Sequence, residues 1–171
     1  MYCVKCGSEL NSNVCAVCGS AVAVATVGHD AVTGLALASW AQRAGATAID
    51  SLVLIIPGIA LYLLVYSKSS LAYTLLGMAM QGTYLVWFLS RPDGQTIGNR
   101  AAHTRVVNAT TGQPLEVPKA FARWFVMAVL NVSLYLVVGI VLLPLDYLFP
   151  LWDKRRQTLH DKVAGTIVVR V

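Results

Sequence analysis

The feature that most constrains the fold is an apolar segment over residues 44 to 66, which follows directly on Arg43. About 20 apolar residues are enough for a helix to cross a bilayer, so the segment predicts a membrane span. It contains one carboxylate, Asp50, and an ionised aspartate costs on the order of 3 kcal/mol at membrane depth. We therefore expect Asp50 to face the protein interior, either as a structural clamp between helices or as a residue that handles ions or protons.

The composition supports a membrane protein. Hydrophobic residues make up 57% of the chain and charged residues 12%, whereas roughly 25% charged residues are usual in a soluble domain. In a membrane protein the formal net charge of +5 indicates topology and affinity for anionic lipid. No basic patch with interleaved aromatic residues is present, so we expect no nucleic-acid partner.

Two Cys-x-x-Cys-Gly motifs occur at the start of the chain, and their cysteines are Cys3, Cys6, Cys15 and Cys18. Each motif presents two thiolates from one tight turn, and two such turns complete a tetrahedral zinc site. The alternative is a pair of disulfides or unpaired structural thiols. A segment this short has almost no core without metal, so residues 1–19 predict a structural Zn²⁺ ribbon. The segment resembles the zinc-ribbon heads of bacterial membrane proteins, and reduced thiols place it in the cytoplasm.

Residues 20–38 show no clear period and are predicted to be a flexible linker, with His29 exposed to solvent. After a short polar turn, residues 71 to 90 predict a second span. Gln81 lies within it as a polar group that requires a partner. Asp50 is a candidate for that partner.

The segment from Arg91 to Arg123 is polar and rich in turns. Its β-branched pieces at 104–107 and 115–117 predict a small hairpin, and residues 165–170 predict a third strand that could join it. Binding of an anionic ligand is one interpretation of the cations in this segment. The preferred interpretation is cytoplasmic charge against lipid headgroups, and the residues concerned are Arg100, Arg105, Lys119 and Arg123.

The third hydrophobic stretch, from Phe121 to Trp152, is long for one span and is interrupted by Gly139 and Pro144. A single crossing would place the cationic C-terminal cluster on the opposite side from the cytoplasmic head, against the positive-inside tendency. We therefore predict a mainly α integral membrane protein. It has two full spans plus a kinked hydrophobic hairpin, a small cytoplasmic β element and the N-terminal four-cysteine zinc ribbon. Three plain spans are the alternative.

Three motifs in order resemble the RDD family of small membrane proteins. They are Gln42-Arg43 with Ile49-Asp50, Asp93-Gly94-Gln95-Thr96-Ile97-Gly98-Asn99-Arg100 with Arg105-Val106-Val107, and Arg155-Arg156-Gln157-Thr158-Leu159-His160-Asp161 with Ala164-Gly165-Thr166.

The resemblance covers about residues 38 to 171, so we take residues 39–171 as the RDD-like membrane domain. It implies that Arg43, Asp50 and Asp161 are the arginine and two aspartates that name the family. Asp153 is a second claimant for the last position. The resemblance also implies a suspected role in transport, and cation/proton antiport has been proposed for some family members.

Two hypotheses about function follow. In the first, a homo-oligomer in the cell membrane, with a cytoplasmic N-terminus, exchanges a small cation for protons at Asp50 and Asp161. In the second, the protein is a non-catalytic membrane adaptor whose zinc ribbon binds a cytoplasmic protein. His160 and Asp161 are adjacent and lack a matched nucleophile, so we expect no enzyme activity.

Overall fold

The structure is a computed structural model that describes residues 17–18, 28–133 and 138–171. The predicted zinc head lies outside these residues except for Val17 and Cys18, which form part of a turn. Across the described ranges, no group of three or more His, Cys, Asp or Glu side chains is arranged to hold a metal ion. Zinc binding by the four cysteines therefore stays a prediction.

The longest helix, α1, spans Trp40–Leu61 and continues as a π-helical turn over Tyr62–Tyr66. A capping box fixes its start: Ser39 Oγ accepts the Gln42 N–H at 3.2 Å, and Gln42 Oε1 accepts the Ser39 N–H at 3.0 Å. The 27 residues Trp40–Tyr66 have a mean hydropathy of 2.3 in their most apolar window. Within the described residues, this is the one helix long and apolar enough to cross a membrane.

The next helix, α2, spans Ser70–Leu89, and its N-cap Ser69 accepts the Ala72 N–H at 3.1 Å. Its polar residues, including Thr74 and Gln81, lower its hydropathy. For that reason α2, unlike α1, is not apolar enough to count as a candidate membrane span. The second full span therefore stays a prediction.

The third hydrophobic stretch consists of two helices, α4 (Val117–Val132) and α5 (Gly139–Leu148), with a short 3₁₀ turn at Phe149–Leu151. Arg123 in α4 and Asp146 near the end of α5 contact consecutive residues of a later helix, α6 (Leu159–Ala164). Because the first half of one helix and the end of the next reach the same element, the chain reverses direction between them. The course of this stretch through a membrane, as a hairpin or a single span, stays a prediction.

Two short strands form an antiparallel sheet, β1 (Thr104–Asn108) and β2 (Thr166–Arg170), with Val106 opposite Val168. The predicted third strand is therefore present, but the predicted hairpin partner at 115–117 is not a strand. Val117 already begins α4, and Pro118 follows it in the first helical turn, where proline is favoured. The short helix α3 (Ile97–Ala101) precedes β1.

Residues 28–38 are packed against the domain instead of forming part of a flexible linker. The Ala38 N–H donates to Val168 O at 3.0 Å, and the Arg170 N–H donates to Ala36 O at 2.8 Å. Leu37 and Ala38 are fully buried. This part of the predicted linker therefore lies along the free edge of β2, which its alanine-rich and valine-rich composition did not indicate.

Side chains on the two faces of the sheet enter two different hydrophobic clusters, because successive strand residues point in opposite directions. Val106 and Val168 pack with Leu89 of α2 and Ala120 of α4. The neighbouring strand residues pack with Leu37 of the N-terminal segment. The sheet therefore joins the ends of α2 and α4 to the segment that leads into α1.

Candidate functional site

The carboxylate of Asp161 is the centre of a buried ionic cluster. Its position is fixed at the start of α6, where Thr158 Oγ1 accepts the Asp161 N–H at 3.1 Å and Asp161 Oδ2 accepts the Thr158 N–H at 3.2 Å. Arg43 Nη1 lies 2.7 Å from Oδ2, and Arg123 Nη1 forms an ion pair with Oδ1. Thr166 Oγ1 also donates to Oδ1 at 2.8 Å. The Asp161 side chain is 0% exposed, so two guanidinium groups and two hydrogen bonds stabilise a charge that water does not reach.

The two arginines of this cluster come from different helices, α1 and α4. Their side chains are 10% and 12% exposed. Arg123 Nη1 also donates to Thr166 Oγ1 of β2 at 2.9 Å. The cluster therefore ties α1, α4, α6 and β2 together, and removing the Asp161 charge would leave two buried arginines without a counter-charge.

A second buried pair, Asp146 and His160, lies beside the cluster. His160 Nδ1 is 2.7 Å from Asp146 Oδ2, and the His160 N–H donates to Asp146 Oδ1 at 3.0 Å. Burial and the positive charge of Arg123 together lower the pKa of His160 to about 4, although Asp146 opposes the shift. His160 is therefore neutral at pH 7 and donates its Nδ1–H to the carboxylate.

Asp50 is held differently, by neutral donors from three elements. Tyr84 Oη donates to Asp50 Oδ1 at 2.6 Å, the Gly98 N–H donates to the same oxygen at 2.7 Å, and Thr96 Oγ1 donates to Oδ2 at 2.6 Å. Within the described part of the chain, no Arg, Lys or His forms an ion pair with Asp50. Its charge is stabilised by hydrogen bonds alone.

The close approach of α3 to α1 depends on Gly98. A Cβ atom at this position would overlap the Ala46 carbonyl oxygen and lie 2.8 Å from Asp50 Cγ. Only glycine lets the α3 backbone reach the carboxylate. The Gly98 N–H is therefore available to donate to Asp50.

A cavity of about 280 Å³ lies between the helices and the sheet and brings these groups together. Its lining includes polar side chains from several elements, namely Arg43, Asp50, Gln81, Asn99, Arg123 and His160. Apolar residues of α1 and α2 complete the wall, among them Leu54 and Leu85. Such a mixed, concave site between helices is where a small ligand or ion would bind.

Comparison with known protein families identifies the family of this chain. Residues 37–165 match the RDD family. The chain belongs to the RDD family. The family assignment and the apolar helix α1 agree in indicating a membrane protein.

Curated relatives of this RDD protein come from mycobacteria. A proline-rich antigen homologue of Mycobacterium tuberculosis is 35% identical over 91 residues, which cover 52% of this chain and 34% of the relative. The proline-rich antigen of Mycobacterium leprae is 34% identical over 95 residues, covering 54% of this chain and 34% of the relative. The chain therefore matches about a third of the length of these relatives. No solved structure matches the chain significantly.

The structure brings together two of the three residues assigned from the RDD motifs. Arg43 pairs with Asp161, whereas Asp50 lies further along the same cavity with its own donors. The second claimant, Asp153, instead pairs with Lys162 at 2.7 Å and accepts the Gln157 N–H at 2.9 Å. Asp153 therefore orders the loop that leads into α6 and does not contact Arg43.

The expected hydrogen bond between Gln81 and Asp50 does not form between these two described residues. Tyr84, almost one helical turn further along α2, reaches the carboxylate instead, and Gln81 lines the cavity. Both side chains lie on one face of α2, so the sequence located the correct face but not the donor.

Sequence reasoning missed Arg123, Asp146 and His160 as parts of the site. The sequence favours surface charge for Arg123, although it is the one cation between Phe121 and Trp152, and that isolation is the available signal. The partner of each residue lies in a distant part of the chain, which a sequence pattern does not specify.

Asp30, expected in a solvated linker, forms an ion pair with Arg155. Arg155 Nε lies 2.6 Å from Asp30 Oδ1, and Arg155 Nη2 lies 3.0 Å from Oδ2. Burial raises the pKa of the Asp30 carboxyl, but hydrogen bonds from Arg155 and Thr33 outweigh it, so the pKa is below its usual value. The pair attaches residues 28–38 to the loop before α6.

Proposed function

We propose that this RDD protein is a multi-pass protein of the cell membrane that exchanges a small cation for protons at Asp50. The observation that carries the proposal is the charge balance of the buried carboxylates. Asp30, Asp153 and Asp161 each form an ion pair with Arg or Lys. Asp146 accepts two hydrogen bonds from neutral His160 and interacts with the charge of Arg123. Asp50 forms no ion pair among the described residues, and it lines the cavity.

A carboxylate without a cationic partner is suited to bind a proton and a cation in turn. Either ligand neutralises Asp50, whose charge is costly at membrane depth. The hydroxyl groups of Tyr84 and Thr96 can reorient as the carboxylate changes its ligand. Oxygen atoms of Gln81 and Asn99 on the same cavity wall could complete the coordination of a small, hard cation.

We assign Asp161 a structural role within this function. Both of its oxygen atoms already accept bonds from arginines and hydroxyl or backbone donors. A proton or cation at Asp161 would have to displace a buried guanidinium. Exchange is therefore assigned to Asp50, and Asp161 keeps Arg43 and Arg123 in place.

The proposed assembly is a homo-oligomer in the lipid bilayer. One face of α1 carries exposed apolar side chains, including Leu52, Ile56 and Ile59. This face would lie against lipid or a second copy, and a domain of this size needs further copies to enclose a pathway. We place the N-terminus, α3, α6 and the sheet on the cytoplasmic side, where their cations satisfy the positive-inside tendency.

Proton flux driven by a cation gradient tests the proposal. Purified full-length protein is reconstituted in liposomes, and internal pH is followed after Na⁺, K⁺ or Li⁺ is added outside. We expect flux from the wild type and from Asp93→Asn, a control aspartate outside the cavity, and none from Asp50→Asn. Equal flux in Asp50→Asn at matched reconstitution, or no flux from folded wild type, would overturn it.

A second candidate is the adaptor role, and the packing of residues 28–38 favours it. The ion pair between Asp30 and Arg155 holds the chain that follows the cysteine segment against the domain. In this role, a zinc ribbon at residues 1–19 binds a cytoplasmic protein. Zinc analysis should find about one Zn²⁺ per chain, and deletion of residues 1–19 should remove a co-purifying partner. If the deletion removes neither the zinc nor a partner, this role is excluded.

A further inference from the structure

One edge of the Arg43 guanidinium has no adequate hydrogen-bond partner among the described residues. The side chain is 10% exposed, and its Nη1 is occupied by Asp161 at 2.7 Å. Nη2 has a contact with Val168 O at 3.5 Å, which is long for a hydrogen bond, and the buried Nε has no partner in the described part of the chain. A buried N–H without an acceptor is destabilising, so this edge requires an explanation.

The geometry of the guanidinium group indicates what would satisfy it. Nε and Nη2 lie on the same edge of the planar group and point their N–H bonds in parallel. Two such donors match the two oxygens of a carboxylate or phosphate, which bind arginine in bidentate fashion. A spherical halide does not use both donors in this way.

A cavity and a second positive charge lie beside Arg43. Arg43 and Arg123 both line the 280 Å³ cavity, and they share the single carboxylate of Asp161. Asp50, the carboxylate that lines the same cavity, is seven residues further along α1, or about 10 Å of helix rise. Its charge therefore lies away from the Arg43 end.

We propose that the Arg43 end of the cavity binds a small oxyanion through Nε and Nη2, with Arg123 adding positive charge. The ligand class is a carboxylate or phosphate group, either free in solution or on a lipid headgroup. This site is separate from the cation exchange proposed at Asp50, and it stands if that exchange fails.

The test is ligand-dependent stabilisation of the purified full-length protein in neutral detergent. Phosphate and acetate are titrated against chloride at equal ionic strength while thermal unfolding is followed. We expect the two oxyanions to raise the melting temperature saturably and chloride to have no comparable effect. Arg43→Lys keeps a charge for Asp161 but lacks the two-donor edge. It should weaken the apparent affinity by about tenfold or more, as expected for charged hydrogen bonds.

Two further variants make the outcome decisive. Thr47 also lines the cavity, one helical turn from Arg43. Thr47→Leu should therefore narrow the cavity and reduce the oxyanion effect even if Arg43→Lys fails to fold. Asp50→Asn should retain the effect, which separates this proposal from cation exchange. An oxyanion effect that is absent from the wild type, or unchanged in Thr47→Leu and in folded Arg43→Lys, would overturn the oxyanion site.

Melting experiments in lipid distinguish a free oxyanion from a lipid headgroup. The same melts are run in nanodiscs made of phosphatidylcholine alone and of phosphatidylcholine with phosphatidylglycerol. Stabilisation by phosphatidylglycerol that Thr47→Leu removes, and that free phosphate no longer increases, supports a headgroup ligand. Stabilisation by free phosphate in both lipid compositions supports a soluble ligand. An anionic-lipid effect that persists in Thr47→Leu, together with no phosphate effect, contradicts the site.

Discussion

Arg43 Nη1 and Asp161 Oδ2 lie 2.7 Å apart although 118 positions separate the two residues in the sequence. Arg123 meets the other oxygen of the same carboxylate. One aspartate therefore holds the start of α1 against α4 and β2. The remaining polar groups of the cavity are positioned around this contact.

Removal of this carboxylate should be strongly destabilising. Asp161→Asn leaves two arginines buried without a counter-charge, and we expect a loss of about 3–5 kcal/mol in the free energy of unfolding. Thermal or denaturant unfolding of purified protein in detergent measures it. Asp93→Asn is the matched control, because Asp93 pairs with Arg100 on the surface, and it should change stability by less than about 1 kcal/mol. Similar losses in both variants would contradict the buried cluster.

The neutral state of His160 predicts a pH dependence of stability. Its folded pKa is about 4, against an ordinary value of 6.5, so the unfolded chain binds the proton first as pH falls. The contribution of His160 is complete above pH 6.5 and decreases toward pH 4, by on the order of 3 kcal/mol. His160→Asn keeps a donor for Asp146 and should remove this part of the dependence. If unfolding curves of wild type and variant change in parallel with pH, His160 is not buried as a neutral group.

Two glycines offer opposite responses to the same substitution. Gly98→Ala places a Cβ against the Ala46 carbonyl and Asp50, so we expect a cost of about 1–3 kcal/mol and a weakened bond to the carboxylate. Gly77 lies inside α2, and a Cβ added there would meet no described atom within 4 Å outside its own helical turn. Gly77→Ala should therefore stabilise by about 0.5–1 kcal/mol. Unfolding measurements on the two variants in parallel test this prediction. Equal effects would show that α3 does not approach α1 closely.

The ion pair between Asp30 and Arg155 should control the packing of residues 28–38. The lowered pKa of Asp30 means that its contribution is present above the ordinary value near 3.8 and is lost as pH falls through the folded value. Asp30→Asn should therefore speed hydrogen exchange at the Leu37 and Ala38 amides at neutral pH. Asp93→Asn is the control and should leave their protection unchanged. Full protection in Asp30→Asn would show that the backbone contacts to β2 suffice alone.

How much the sequence predicts depends on whether a feature is local. The helix α1 and the C-terminal strand follow from hydropathy and β-branched residues along one segment, and both are present. The family motifs point to Arg43, Asp50 and Asp161, but not to which of them touch. Asp30 and Arg155 are separated by 125 positions, and only the fold selects them as partners.

The donor to Asp50 illustrates a smaller error. The predicted donor, Gln81, and the observed donor, Tyr84, lie less than one helical turn apart. Hydropathy and spacing give the face of a helix more readily than the reach of a side chain, so the face is right and the donor is wrong.

The most direct test of the central claim is proton release by the purified protein when a cation is added in weakly buffered detergent solution. If Asp50 exchanges a proton for a cation, the wild type and Asp93→Asn release protons saturably on addition of at least one of Na⁺, K⁺ and Li⁺. Asp50→Asn then releases none. Release of equal size from Asp50→Asn, or no release from folded wild type with any of these ions, would contradict the assignment of exchange to Asp50.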